Sequence, residues 1–149
     1  MSMTWQVSSL EWSLKLKALG VDQISPTYAY YFNAGKCSGA LVDNQMYSDV
    51  EDDFRERKLV AAFTVSELLV AIPRIIEGKT QSDTSYLRIF ADECIEWCVH
   101  HSGINSSLYH DNSDDPNLAN VLSGMLYNLV KDGLISLEEV NERLKGVRG

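Results

Sequence analysis

The sequence has few cysteines, few basic residues and no long hydrophobic run, and each shortage excludes a class of protein. Its 149 residues contain three cysteines, an odd number that fits free thiols in a reducing compartment better than a disulfide framework. The longest apolar runs, "LVAAF" and "LLVAI", are far shorter than the ~20 residues of a membrane-spanning helix. The 13 basic residues are outnumbered by 21 acidic ones, which gives a net charge of −8. We therefore expect neither nucleic-acid binding nor attachment to an anionic membrane.

We also expect no targeting signal at the N-terminus. "MSMTWQVSSL" contains no basic stretch followed by an apolar run, so we expect a cytoplasmic protein. The chain length and a hydrophobic content of 45% predict one globular domain over 1–149. Acidity of this degree favours solubility, a basic protein partner or mimicry of a polyanion.

Catalytic and cofactor motifs are missing from the sequence as well. There is no G-x-G-x-x-G, H-E-x-x-H or G-x-S-x-G, and "GKCS" lacks two required residues of a phosphate loop. Acidic stretches starting at Asp49 and Asp111 lack the glycine and the closing glutamate of a calcium loop. A nucleophile at Cys37 or Cys98 would need an orienting base and an oxyanion hole that no pattern indicates. We therefore expect no enzyme activity and no cofactor.

One segment, "CIEWCVHHSG", concentrates two cysteines and two histidines. On a strand, Cys94, Cys98 and His100 would share one face. Cys94 and Cys98 would nevertheless lie roughly 13 Å apart, at ~3.3 Å per residue, which is too far to share a zinc ion. Cys98 and His100 could supply two metal ligands only if His110 or an aspartate joined them. A half-buried strand with small apolar thiols is the favoured interpretation, and we expect no metal site.

Three S/T-x-x-E pairs and one Asp-Pro pair predict the starts of four helices. Apolar residues follow each start at three- and four-residue spacing, as in amphipathic helices. Gly20 and Gly133 follow the first and third of these helices and suit the left-handed position at a helix end. In chain order the predicted starts are Ser8–Glu11, Thr64–Glu67, Asp115–Pro116 and Ser136–Glu139.

Strand signals lie between these helices. "SPTYAYYF", "CSGALV" and "LVAAF" are rich in β-formers, and the turn "NAG" joins the first two. "SYLRIFADECIEWCVHH" predicts a β-hairpin that turns at Asp92-Glu93, with a helix over 94–101 as the alternative. The polar segments 43–58 and 102–115 are predicted to be loops. The result is an α+β fold, in which an antiparallel sheet of four or five short strands packs against the C-terminal helix pair and short N-terminal and central helices.

Aromatic and basic residues supply the candidate ligand site. The alternating aromatics at 28, 30 and 32 could form a stacking platform, but we expect them to be core packed against the C-terminal helices. Tyr31, on the opposite face of that strand, is the candidate to bind a small anionic ligand together with Lys36 and Arg88.

Four segments carry a resemblance to a known group of proteins. They are "LKLKALGV" leading into the tyrosine-rich stretch, "AAFTVSELLVAIP", "YLRIF…EWCV" and "LANVLSGMLYNLVKDGLI", about half of the chain. The chain resembles small bacteriophage and prophage proteins that have no assigned activity. The resemblance implies an accessory phage role and transfers no functional residue.

These observations favour a non-catalytic function. The leading hypothesis is an acidic phage or prophage accessory protein that binds a host protein, for example as a defence inhibitor. The alternative is a protein that binds or sequesters a nucleotide signal through tyrosine and arginine at a subunit interface. Two-fold homodimers are common among small domains, and the sequence is compatible with one.

Overall fold

The fold is known from a computed structural model, which describes residues 7–23, 28–33, 36–43, 59–76, 84–91, 97–102, 107–111 and 117–148. The α+β class expected from the sequence is confirmed. In chain order the elements are α1 (Leu10–Leu19), β1 (Tyr28–Asn33), β2 (Lys36–Asp43), β3 (Leu59–Ala62), α2 (Val65–Ala71), β4 (Ile75–Ile76), β5 (Ser85–Ala91), β6 (Trp97–Ser102), β7 (Ser107–Asp111), α3 (Leu118–Lys131) and α4 (Leu137–Arg148).

The strands form two antiparallel sheets, not the single sheet of four or five strands that the sequence suggested. The first sheet has the order β2-β1-β3 and the second has the order β4-β5-β6-β7. The predicted hairpin is confirmed as β5 and β6, and the helical alternative is wrong over 97–101. The predicted loop 102–115 is also wrong over 107–111, because hydrogen bonding to β6 outweighs the weak strand propensity of "SLYHD". The acidic segment 44–58 lies outside the described residues.

Two helices begin later than predicted. The N-cap of α1 is Ser9, whose hydroxyl accepts a hydrogen bond from the Trp12 N–H at 3.3 Å. Ser8 was the expected cap, but it is buried and its hydroxyl is used in tertiary hydrogen bonds. Asn117 caps α3 instead of Asp115, which lies outside the described residues. Capping preferences therefore predict the approximate start of a helix, but tertiary hydrogen bonds decide which residue becomes its N-cap.

The cap of α2 follows the sequence prediction. The Thr64 hydroxyl accepts from the Glu67 N–H at 3.1 Å, and Glu67 accepts in return from the Thr64 N–H at 3.1 Å. Glu67 is 1% exposed, so this reciprocal pair satisfies a buried carboxylate as well as a helix end.

The main core lies around α3. This helix packs against α1, α2, β6 and β7, while α2 also packs against α4. Almost the whole first half of α3 is buried, including glycine and serine positions that allow close approach of neighbouring elements. The largest fully buried side chains of the core are Leu16, Phe63, Leu68, Ile72, Leu122, Met125, Leu126, Leu129 and Leu144.

The aromatic stripe of β1 packs in a different place from the one expected. Tyr30 is 6% exposed, but it forms a second cluster with Val7 and Ala62, beside Leu10 and Tyr28. It therefore packs under the N-terminal segment and not against the C-terminal helices. Strand alternation predicted that this ring is buried, but not which element covers it.

The segment Val7–Ser9, here called the N-terminal clamp, is joined to the first sheet by hydrogen bonds. The Ser8 N–H donates to the Phe63 carbonyl at 2.8 Å, and the Phe63 N–H donates to the Ser8 hydroxyl at 2.9 Å. The Tyr30 hydroxyl donates to the Ser8 carbonyl at 2.8 Å. The Ser8 and Ser13 hydroxyls are 2.8 Å apart, so every polar group of Ser8 is paired inside the protein.

The same clamp is joined to the start of α3. The Asn117 amide donates to the Val7 carbonyl at 2.9 Å. The Ser9 N–H donates to the Asn120 side-chain oxygen at 2.7 Å. These bonds connect parts of the chain that are 110 and 111 residues apart, so the clamp fixes α1 and the first sheet against α3.

We expect Ser8→Ala to destabilise the protein by about 1–3 kcal/mol, because a buried N–H loses its acceptor and alanine cannot replace it. Urea denaturation followed by circular dichroism measures this free energy. Ser66→Ala, at an exposed position of α2, is the matched control and should stay within about 0.5 kcal/mol of the parent. Equal unfolding free energies for the Ser8 and Ser66 variants would contradict the clamp.

Three glycines should respond differently to replacement by alanine. Gly20 and Gly133 have φ of 106° and 76°, and a left-handed alanine costs about 1–2 kcal/mol. Gly20→Ala should cost more than Gly133→Ala, because its Cβ would also meet Leu137 Cδ2 at 2.6 Å, whereas Gly133 has open space. Gly146→Ala, inside α4 with nothing within 4 Å, should stabilise by roughly 0.5–1 kcal/mol. Thermal melts of the three variants test this order, and a different order would refute the assigned geometry.

Candidate functional site

The three residues of the predicted ligand site lie in two different sheets. Tyr31 is on β1 opposite Leu59 of β3. Lys36 begins β2 and pairs with Asn33 at the end of the first hairpin. Arg88 is in the middle of β5, in the second sheet. The fold thus places Tyr31 and Lys36 on adjoining strands and Arg88 in a separate sheet.

The strand register groups the histidines and one cysteine in the second sheet. Cys98 and His100 are two positions apart on β6, and His110 of β7 pairs directly with His100. This is the neighbour that a metal site at Cys98 and His100 would require. Cys94 lies outside the described residues, and Cys37 is on β2 in the other sheet. Among the residues whose side chains the structure describes, no group of three metal-ligating side chains occurs.

The two faces of the second sheet differ in composition. Leu87 and Ile89 of β5 pack against the main core, so their face is the inner face. Alternate residues belong to the opposite face, here called the outer face. Two of its residues, Ile75 and Tyr86, are 52% and 38% exposed and are cross-strand partners. Up to the register shift between His101 and Ser102, the pairing assigns to the outer face Ile75, Tyr86, Arg88, Phe90, Cys98, His100 and His110.

A row of basic and imidazole residues crosses this outer face. Arg88 pairs with His100, and His100 pairs with His110, on three consecutive strands. We call these three residues the basic row. Among the described positions of the four strands, none that the register assigns to the outer face is a carboxylate.

A second surface feature lies where α1 packs on α3. The Trp12 and Tyr127 rings meet edge to face, with centroids 6.2 Å apart and planes at 66°. Lys15 Nζ lies 4.4 Å from the Trp12 ring centroid, and Lys131 Nζ lies 5.5 Å from the Tyr127 ring centroid. Both rings are half-buried and both lysines are exposed. We call these four residues the aromatic–lysine patch.

Helical spacing builds this patch within each helix. Lys15 follows Trp12 by three residues and Lys131 follows Tyr127 by four, the two spacings that place side chains on one helix face. This patch was not among the sites predicted from the sequence. The two aromatic–lysine spacings are visible in the sequence. The contact between the Trp12 and Tyr127 rings depends on how α1 packs on α3, which the sequence of neither helix shows.

The buried polar side chains of the described core have structural partners. The hydroxyls of Ser8 and Ser13 bond to each other. The Ser123 hydroxyl donates to the Ala119 carbonyl at 2.7 Å, and Glu67 caps α2. The Asn120 side-chain oxygen accepts from the Ser9 N–H at 2.7 Å. These bonds account for the burial of the five polar side chains through packing and capping.

The net negative charge lies entirely outside the described residues. The described ranges contain nine acidic and nine basic residues, so they are neutral overall. The remaining segments contain 12 acidic and four basic residues, which accounts for all of the −8.

Comparison with known proteins finds no match to a family model, to a curated protein or to a solved structure. Among the described residues, no helix is long and apolar enough to cross a bilayer. The role of each residue is therefore inferred from its own placement and contacts.

Proposed function

We propose that the protein is a non-catalytic accessory protein of phage or prophage type that binds a host protein through the aromatic–lysine patch. The observation that supports this proposal is the meeting of Trp12 and Tyr127 at the surface, each with a lysine ammonium over its ring. The phage assignment extends the resemblance of the sequence, and inhibition of a host defence protein is one form that such binding takes.

The chemistry of the patch favours a protein partner. Tryptophan and tyrosine are enriched among the residues that dominate binding energy, because they offer large rigid surfaces with a polar edge. The two lysines already cover ring faces, which leaves less room for a stacked base than for contacts along the ring edges. The patch therefore supports binding to a protein surface more than binding to a nucleobase.

An ion pair within the patch can be replaced by an ion pair with a partner protein. Lys15 pairs with Glu11 at 3.3 Å, but both side chains are exposed, at 45% and 78%. Such exposed pairs contribute about 0–1 kcal/mol, so a partner carboxylate can replace Glu11 at little cost. The expected partner surface combines an apolar centre, which covers the rings, with flanking carboxylates.

The experiment is capture of host proteins from an extract of the bacterial host, followed by titration of the purified partner. We expect Trp12→Ala to weaken binding by at least about 30-fold, the loss typical of a hot-spot tryptophan. Because Trp12 also packs on Tyr127, a second variant with Lys15→Glu and Lys131→Glu tests the same surface through exposed residues and should also lose binding.

Lys145→Glu is the matched control, since Lys145 is an exposed lysine of α4, with 63% of its side chain accessible. This variant should keep the affinity of the parent protein. The proposal fails if no host protein is retained by the parent, or if the retained protein binds the patch variants as tightly as the control.

A further inference from the structure

We infer that Gln23 and Ser8 keep the free edge of the first sheet closed, and that without Gln23 this edge binds β3 of a second copy of the chain. The first sheet has the strand order β2-β1-β3, so β3 lies at one end of it. We call the side of β3 that faces away from β1 the β3 edge. The inference uses none of the residues of the aromatic–lysine patch.

The backbone groups of β3 alternate between its two sides. In an antiparallel ladder every second residue bonds to the neighbouring strand, and the residues between them direct their N–H and C=O groups away from it. Ala61, and Phe63 just after the strand, direct their N–H groups away from β1. These groups donate to Gln23 Oε1 at 2.8 Å and to the Ser8 hydroxyl at 2.9 Å. Two side chains therefore accept the bonds that a fourth strand would otherwise accept.

Ser8 covers the end of the β3 edge through its backbone as well. Its N–H donates to the Phe63 carbonyl at 2.8 Å, and Val7 forms an isolated antiparallel bridge with Thr64. The N-terminal clamp thus pairs with the end of the edge as a very short strand, while Gln23 covers a position closer to its middle. Within the part of the chain that the structure describes, no named strand pairs with this side of β3.

The sequence of β3 contains no residue that discourages pairing with another chain. Natural edge strands avoid such pairing through lysine, proline, a bulge or an inward-pointing charge. The segment 59–63, "LVAAF", has no proline and no charged residue, and its pairing with β1 runs from Leu59 to Ala62 without a register shift. Closure of the edge therefore depends on hydrogen bonds from Ser8 and Gln23 and not on the composition of the strand.

A second copy of β3 is the occupant that this edge fits best. Two identical strands can pair antiparallel about a two-fold axis, so that the outward N–H groups of each copy meet the outward carbonyls of the other. Because the segment 59–63 has no charged residue, the pairing places no like charges directly opposite each other. The edge is therefore complementary to itself in hydrogen bonding and in charge.

Gln23 can be removed without releasing the helix beside it. Its side chain is half-buried and bonds to the Ala61 N–H. Asn141 holds the same segment separately, because its side chain accepts from the Asp22 N–H at 2.8 Å and donates to the Gly20 carbonyl at 3.2 Å. Loss of Gln23 alone should therefore expose the Ala61 N–H while α1 stays in place.

Sedimentation analysis and hydrogen exchange of Gln23→Ala test the inference. Across μM–mM concentrations the variant should pass from the mass of the parent to twice that mass, while the mass of the parent stays constant. In the dilute variant the Ala61 amide should exchange about 10-fold faster than in the parent, because it has lost its acceptor. In the concentrated variant this amide should regain its protection. Gln23→Ser, whose hydroxyl is too short to reach Ala61, should behave in the same way.

Asn141→Ala is the matched control, because it removes two side-chain bonds from the same segment and leaves the bond between Gln23 and Ala61 in place. It should keep the mass of the parent and a protected Ala61 amide. Circular dichroism melts establish that each variant is folded.

Three results would overturn the inference. Folded Gln23→Ala could keep the mass of the parent at the highest concentration, or it could associate while the Ala61 amide still exchanges rapidly. Asn141→Ala could also associate as strongly as Gln23→Ala, which would assign the association to a loosened segment and not to the open edge. None of these measurements uses a host protein, so their outcome is separate from that of the capture experiment.

Discussion

The hydrogen bonds of Val7, Ser8 and Ser9 connect parts of the fold that are far apart in the sequence. Ser8 pairs with Phe63 at the end of the first sheet, and its neighbours pair with Asn117 and Asn120 at the start of α3. These groups lie in or beside the buried interior, where an unpaired N–H or carbonyl costs more than an average hydrogen bond contributes. The position of α1 on α3, and hence the meeting of Trp12 with Tyr127, follows from this clamp.

A second set of bonds holds the far end of α1. The Asn141 side-chain oxygen accepts from the Asp22 N–H at 2.8 Å, and its amide donates to the Gly20 carbonyl at 3.2 Å. Gln23 extends this connection to β3, because its side-chain oxygen accepts from the Ala61 N–H at 2.8 Å. Polar side chains at both ends of α1 therefore tie a short helix to α3, α4 and the first sheet. The aromatic–lysine patch lies on this framework.

Much of the secondary structure could be predicted from local chemistry, whereas its assembly could not. The Thr64–Glu67 capping box, the left-handed Gly20 and Gly133, and the β5–β6 hairpin are set by neighbouring residues. The caps of α1 and α3 moved to Ser9 and Asn117 because distant partners engage Ser8 and Asn117. The division into two sheets and the formation of β7 depend on which strands pair with each other. Alternation of residue types within one strand does not predict that pairing. For the same reason the sequence suggested Arg88 as a ligand residue, but only the register pairs Arg88 with His100 and His100 with His110.

Native-state hydrogen exchange tests the central claim, that the clamp makes α1, the first sheet and α3 one cooperative unit. The amide protons of Ser8, Ser9 and Phe63 should exchange only on global unfolding, with the same free energy as the buried amides in the middle of α3. If the Ser8 and Ser9 amides exchanged by local opening while those of α3 stayed protected, the clamp would be a frayed end of the chain and the account would be wrong.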